Sequence, residues 1–131
     1  MIRAQPKVRH QELRIEKDTK IITTRYLERR TKMTRKRTAI VSGYFDPLHV
    51  GHLEYFKLAK DLADELIVIV NNREQCLLKK GDEFMDQRDR LEIVYHLDMV
   101  DEAILAEDED KSVSDTIRVI NRMKPFDELI F

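Results

Sequence analysis

His49 and His52 stand three residues apart in the run Ser42-Gly43-Tyr44-Phe45-Asp46-Pro47-Leu48-His49-Val50-Gly51-His52. At a loop-to-helix junction that spacing sets both imidazoles on one side of the first helical turn. Gly51 between them lets a ligand approach the backbone closely, and the free amides of a helix start add an anion site. Two imidazoles, bare amides and a helix N-terminus suit a phosphate group. Two other readings compete. The pair could bind zinc, but zinc wants three or four ligands and neither Cys nor a third His lies nearby, so no metal site is assigned. It could also mark a plain helix start, with Asp46-Pro47 as turn residues. His10 and His96 read as ordinary surface or core histidines.

The elements around the pair favour the chemical reading. Thr38–Ser42 is a short apolar, β-branched run closed by Gly43, which predicts a buried strand. Leu53, Phe56, Ala59 and Ala63 recur at helical spacing over His52–Ala63. Glu65–Val70 is nearly all apolar, as a strand covered on both faces of a parallel sheet must be. Asp86 is placed to cap a helix from Gln87 to about Leu97, and Glu102–Ala106 reads as a third strand. Ser112 with Asp115 resembles a capping box ahead of Val113, Ile117 and Ile120. Pro125 ends that helix, and Asp127–Phe131 is a fourth strand. Strand and helix alternate throughout, so the expected fold is α/β, a Rossmann-like doubly wound parallel sheet with right-handed crossovers. Ligands bind beyond the carboxyl ends of the strands in such sheets, and that is where the histidines fall.

Composition bounds the rest. A chain of 131 residues with 42% hydrophobic residues and one cysteine, Cys76, suits a single globular domain without internal disulfides. No run approaches the roughly 20 apolar residues of a membrane span, and the N-terminus lacks the apolar core of a secretory signal. The cytoplasm is the expected location. The net charge of -1 hides an asymmetry: residues 1–38 hold 13 Lys/Arg and 4 Asp/Glu, residues 39–131 hold 11 and 21. Residues 1–37 are expected to be a flexible basic extension, joined to a domain over 38–131. A short helix around Thr19–Thr31 is weakly patterned there, and Met33 is an alternative start. Arg25, Arg29, Arg30, Arg35, Lys36 and Arg37 could form a nucleic-acid patch, but a solvated tail is the favoured reading.

Gly43-Tyr44-Phe45-Asp46-Pro47-Leu48-His49-Val50-Gly51-His52 resembles, residue by residue, the signature of the cytidylyltransferase-like nucleotidyltransferases: Gly, any residue, Phe, Asp, two spacers, then His-x-Gly-His. The resemblance runs on through Leu58-Ala59-Lys60, Asp64–Asn72, Lys79-Lys80-Gly81 and Gln87-Arg88, and covers about 38–131. It implies transfer of CMP or AMP from a nucleoside triphosphate to a small phosphorylated acceptor. A phosphate oxygen attacks the α-phosphorus and pyrophosphate leaves, without a covalent enzyme intermediate. It implies that His49, His52 and Lys79 are catalytic, the imidazoles donating to the α-phosphate oxygens while Mg²⁺ screens the remaining charge. Tyr44, Phe45, Asp46, Gly51, Lys80 and Arg88 fall on the nucleotide side, although Asp46 is equally read as a turn former and the lysines as solvated loop charges. Similar families are the glycerol-3-phosphate cytidylyltransferases, the heptose-1-phosphate adenylyltransferases and the archaeal-type FAD synthetases. Lys-Lys-Gly followed by Gln-Arg leans towards a sugar- or polyol-phosphate acceptor, with CTP or ATP left open. A non-catalytic nucleotide-binding module is the rival class.

The family continues beyond a fourth strand with a Gly-Gly-Asp loop, a fifth strand and a Ser/Thr-rich helix start that holds phosphates. This sequence stops at Phe131. The expectation is therefore a fold lacking the family's C-terminal part, with an exposed apolar edge that favours homo-oligomers and weakens nucleotide binding.

Overall fold

A computed structural model describes residues 35–131. The helix expected near Thr19–Thr31, the extension's arginines up to Arg30 and Met33 lie outside the described residues. The elements run β1 (Arg37–Gly43), α1 (Val50–Asp61), β2 (Glu65–Val70), α2 (Arg73–Lys80), α3 (Gln87–Tyr95), β3 (Glu102–Leu105), α4 (Ser114–Met123) and β4 (Glu128–Ile130). All strand pairs are parallel and the sheet order is β3-β2-β1-β4.

Alternation along the strands divides the core in two. Ala39 and Val41 of β1 and Leu66, Val68 and Val70 of β2 face one side, where Phe56 and Ala59 of α1 and Val94 of α3 cover them. Ile40, Ile67 and Ile69 face the other, beneath Val113 and Ile120 at α4. Five successive residues of β2 are buried, which explains its unbroken apolar run. Each such side chain contributes about 1.5–3 kcal/mol on leaving water. The direction of winding reverses at β1: one crossover leads to β2, and the chain returns on β1's far side as β4. The crevice at the carboxyl end of β1 is therefore the switch point. Among the described residues no helix is long and apolar enough to cross a membrane.

Three expectations need correction. Lys79 and Lys80 are not in a loop. They occupy the last turn of α2, whose N-cap Asn72 and N3 residue Gln75 form a reciprocal capping box and whose C-cap is Gly81 at φ +76°. Nor do Ser112 and Asp115 cap α4. Its N-cap is Val113, with no side-chain cap; the buried carboxylate of Asp108 accepts the amides of Asp115 (2.8 Å) and Thr116 (3.1 Å) instead. The first helix also begins two residues before His52, at Val50.

Candidate active site

The turn after β1 is built around Phe45. Its φ of +53° is uncommon for a residue with a Cβ, and its ring is 3% exposed. The ring packs edge-on to Phe56 (5.2 Å) and to His52 (5.0 Å). A Cβ on Gly43 would meet this ring at 2.7 Å, so Gly43 is needed where the strand ends. Phe45 thus supports His52 from the core. The Asp46–Pro47 peptide is cis.

His49 and His52 form the capping box of α1. His49 is the N-cap, and its Nδ1 accepts the amide of Gly51 at 3.0 Å. His52 Nδ1 in turn accepts the amide of His49 at 3.0 Å. The rings stack, 3.8 Å between centroids and 28° between planes. Two consequences follow. A neutral imidazole that accepts at Nδ1 carries its proton on Nε2, so both rings present an Nε2–H donor. The helix-start amides expected to be bare are partly consumed: Gly51 bonds to His49, and the His52 amide bonds to the His49 carbonyl at 3.0 Å. At Gly51 a Cβ would lie 2.8 Å from the His49 Cε1, so a larger residue there would push the His49 ring aside. Burial, then the neighbouring His49, holds the His52 imidazole below its ordinary value of 6.5.

Asp46 faces the core with a fully buried carboxylate. It accepts the amides of Phe84 (2.8 Å) and Met85 (2.6 Å) and pairs with Lys80 Nζ at 2.7 Å. Burial works against its charge, but Lys80 and the two amides prevail and hold the carboxyl below its ordinary range. Its oxygens are thus used to dock the segment between α2 and α3 against the first turn. Lys80 is drawn to Asp46 as well, with a second bond to its carbonyl at 3.0 Å. Lys79 differs. Its Nζ lies 4.4 Å from the centroid of the Tyr44 ring, a cation–π arrangement. Burial, then Cys76, raises the Tyr44 phenol. The two imidazoles, Tyr44, Tyr55, Lys79 and Lys80 surround a cleft of about 410 Å³ at the carboxyl end of β1.

A family model described as cytidylyltransferase-like matches residues 40–128. The chain belongs to the cytidylyltransferase-like family. The FAD synthase of Pyrococcus abyssi is 37% identical over 92 residues, covering 70% of this chain and 60% of that protein. The FAD synthase of Halorhabdus utahensis is 41% identical over 73 residues, 56% of this chain and 51% of its own. The chain therefore spans about half to 60% of the length of these relatives. The crystal structure of the lipopolysaccharide core biosynthesis protein from Thermoplasma volcanium superposes with a TM-score of 0.56 at 32% identity, covering 69% of each chain.

Within this cytidylyltransferase-like domain, His49, His52, Tyr44, Asp46, Lys79 and Lys80 come together around the cleft. Arg88 does not: its side chain is exposed on α3 and lines none of the cleft. Two residues later, Arg90 is 1% exposed and donates to the carbonyls of Tyr44 (2.8 Å), Asn71 (2.7 Å) and Met85 (2.9 Å), with Glu83 as its ion-pair partner at 2.6 Å. Arg90 ties the ends of β1 and β2 to the α2–α3 segment. A charged side chain in a helix carries no sign of being buried, so periodicity passes over it; its one cue was a place one turn after the Asp86 cap. The residues around the cleft do not fit a resident Mg²⁺. That ion wants oxygen ligands, and the cleft's one carboxylate, Asp46, is committed to Lys80 and two amides.

Proposed function

We propose that this site is a nucleotidyltransferase centre that moves AMP from ATP to the phosphate of FMN. The observation that carries this reading is the imidazole pair: both Nδ1 atoms are spent on backbone amides, which leaves two Nε2–H donors beside Lys79. An oxygen of the acceptor phosphate forms the new bond to the α-phosphorus, the bond to the β-phosphate oxygen breaks, and pyrophosphate departs with that electron pair. The acceptor is already a dianion near neutral pH, so no general base is required. Charge that grows on the α-phosphate oxygens is met by the two Nε2–H groups and the Lys79 ammonium. Such donors stabilise the transition state more than the ground state. Family membership supports the reaction class, and the relatives named FAD synthase support ATP and FMN over the sugar- or polyol-phosphate expected from the Lys-Lys-Gly pattern. The structural neighbour, a lipopolysaccharide core biosynthesis protein, favours a second reading, a sugar-phosphate acceptor.

Pyrophosphate release decides between them. ATP and CTP are each supplied with FMN, glycerol 3-phosphate or a sugar 1-phosphate, and ATP with FMN is the productive pair. A sugar phosphate that outperforms FMN selects the second reading. The absence of acceptor-dependent pyrophosphate with every pair sinks the transferase proposal.

A further inference from the structure

Lys79 and Lys80 are neighbours in the last turn of α2, yet their cations are held in opposite ways. Lys80 Nζ lies 2.7 Å from the buried Asp46 carboxylate and 3.0 Å from the Asp46 carbonyl, so an acid matches its charge. Lys79 has no carboxylate partner among the described residues, although acids outnumber bases 21 to 11 over residues 39–131. Its Nζ stands instead 4.4 Å from the centroid of the Tyr44 ring.

The two supports differ in what they leave behind. A carboxylate orients an ammonium by cancelling its charge. An aromatic face attracts it through the ring quadrupole and adds no charge of its own. Burial, then Cys76, raises the Tyr44 phenol above its ordinary value of 10, so the ring is neutral near neutral pH. Lys79 therefore keeps its whole charge on the wall of the cleft that also holds His49 and His52. Without the ring, a flexible four-carbon stem would spread that charge over many rotamers. The platform itself is fixed. The Gly43 carbonyl accepts the Asn71 amide at 2.9 Å, and the Tyr44 carbonyl accepts from the buried Arg90 guanidinium at 2.8 Å. The next residue, Phe45, is locked into the core. The backbone that carries the ring is thus tied on both sides.

We propose that Tyr44 is a positioning residue, whose ring face orients the Lys79 ammonium at the cleft without neutralising it. The inference rests on the transferase reading, in which Lys79 meets the phosphate and Tyr44 acts through it.

A double-mutant cycle tests it. Pyrophosphate release by the full chain is followed with ATP and FMN, or with a sugar 1-phosphate where that acceptor is the productive one. Tyr44→Leu lowers kcat about two- to fivefold, the fold-change that an exposed cation–π contact carries. Tyr44→Phe keeps the ring face and restores most of the loss. Lys79→Ala costs more, and Tyr44→Leu adds nothing in that background. A ring that served structure alone would make the two losses multiply. The proposal is overturned by that result, by a Tyr44→Leu chain that turns over as the wild type does, or by a Tyr44→Phe chain as slow as Tyr44→Leu.

A second measurement needs neither turnover nor a variant at residue 44. The Lys79 ε-methylene protons of the wild type resonate upfield of the random-coil value, because the Tyr44 ring lies beneath them, and they move when ATP is added. This separates the two ideas. Absent pyrophosphate release sinks the transfer reaction alone if that upfield resonance is present and responds to ATP, and sinks both otherwise. Normal release by the wild type with a random-coil Lys79 resonance sinks the positioning role alone.

Discussion

In the proposed reaction His49 and His52 each have two jobs, one on each ring nitrogen, and side-chain chemistry can separate them. Nδ1 caps the helix, and Nε2 is the proposed donor to the nucleotide. Asn is among the best N-cap residues, and Gln at N3 completes a capping box. We therefore expect His49→Asn and His52→Gln to keep the wild-type melting temperature while turnover falls about 10²–10³-fold, the usual loss for a transition-state donor. Normal turnover in either variant would show that its Nε2–H is idle. The same geometry sets a pH dependence. A protonated ring cannot accept at Nδ1, so charging His52 breaks its bond to the His49 amide. Its folded value is depressed below 6.5, so the unfolded state takes up the proton first. The stability it contributes is complete above pH 6.5, declines as pH falls towards the lowered folded value, and is constant beneath it. Melting temperatures between pH 8 and pH 5 should fall less steeply for His52→Gln than for the wild type; equal slopes would mean that another group titrates.

At the scale of elements, the α2–α3 segment is held to the histidine turn by one carboxylate. Asp46→Ala strands the amides of Phe84 and Met85 and frees Lys80. We expect a cost of about 1–3 kcal/mol for the lost acceptor, and a raised nucleotide KM as the segment loosens. Lys80→Ala leaves the Asp46 carboxylate buried with its two amides but without its cation, so it should also destabilise, by less than Asp46→Ala because the amide docking survives and water reaches the vacated side. Comparable losses in both variants, measured by denaturant midpoint, would show that the ion pair and not the amide docking dominates. This arrangement also shows what a sequence reveals. The buried runs of β1 and β2, the Asp86 cap and the His-x-Gly-His turn are local patterns, and each was readable. Helix α2 was not, because its buried face carries Gln75 and Cys76, so apolar periodicity had little to register. Its Asn72…Gln75 box and Gly81 cap were the available cues, hidden in what read as a strand end and a basic loop. The caps of α4 and the packing of Arg90 depend on residues brought together only by the fold, and no local spacing encodes them.

For the molecule as a whole, charge separation along the chain makes a prediction of its own. Residues 39–131 carry a large acidic excess, whereas residues 1–38 hold 13 Lys/Arg against 4 Asp/Glu. If the cleft takes a triphosphate as proposed, the acidic excess of residues 39–131 would repel it at a distance, and the basic residues of 1–38 would offset that repulsion. A field of that kind reaches about 30 Å at 0.01 M ionic strength and about 8 Å at 0.15 M. A chain that begins at Met33 should therefore bind ATP more weakly than the full chain in dilute buffer, and the two should converge as salt rises. Their melting temperatures should agree if residues 1–32 serve as a solvated extension. A difference in affinity that persists at 0.15 M would place the extension in direct contact with the nucleotide. Binding of the full chain to an oligonucleotide, with a steep salt dependence that the shorter chain lacks, would instead make the extension a nucleic-acid site, since each phosphate neutralised releases a counterion.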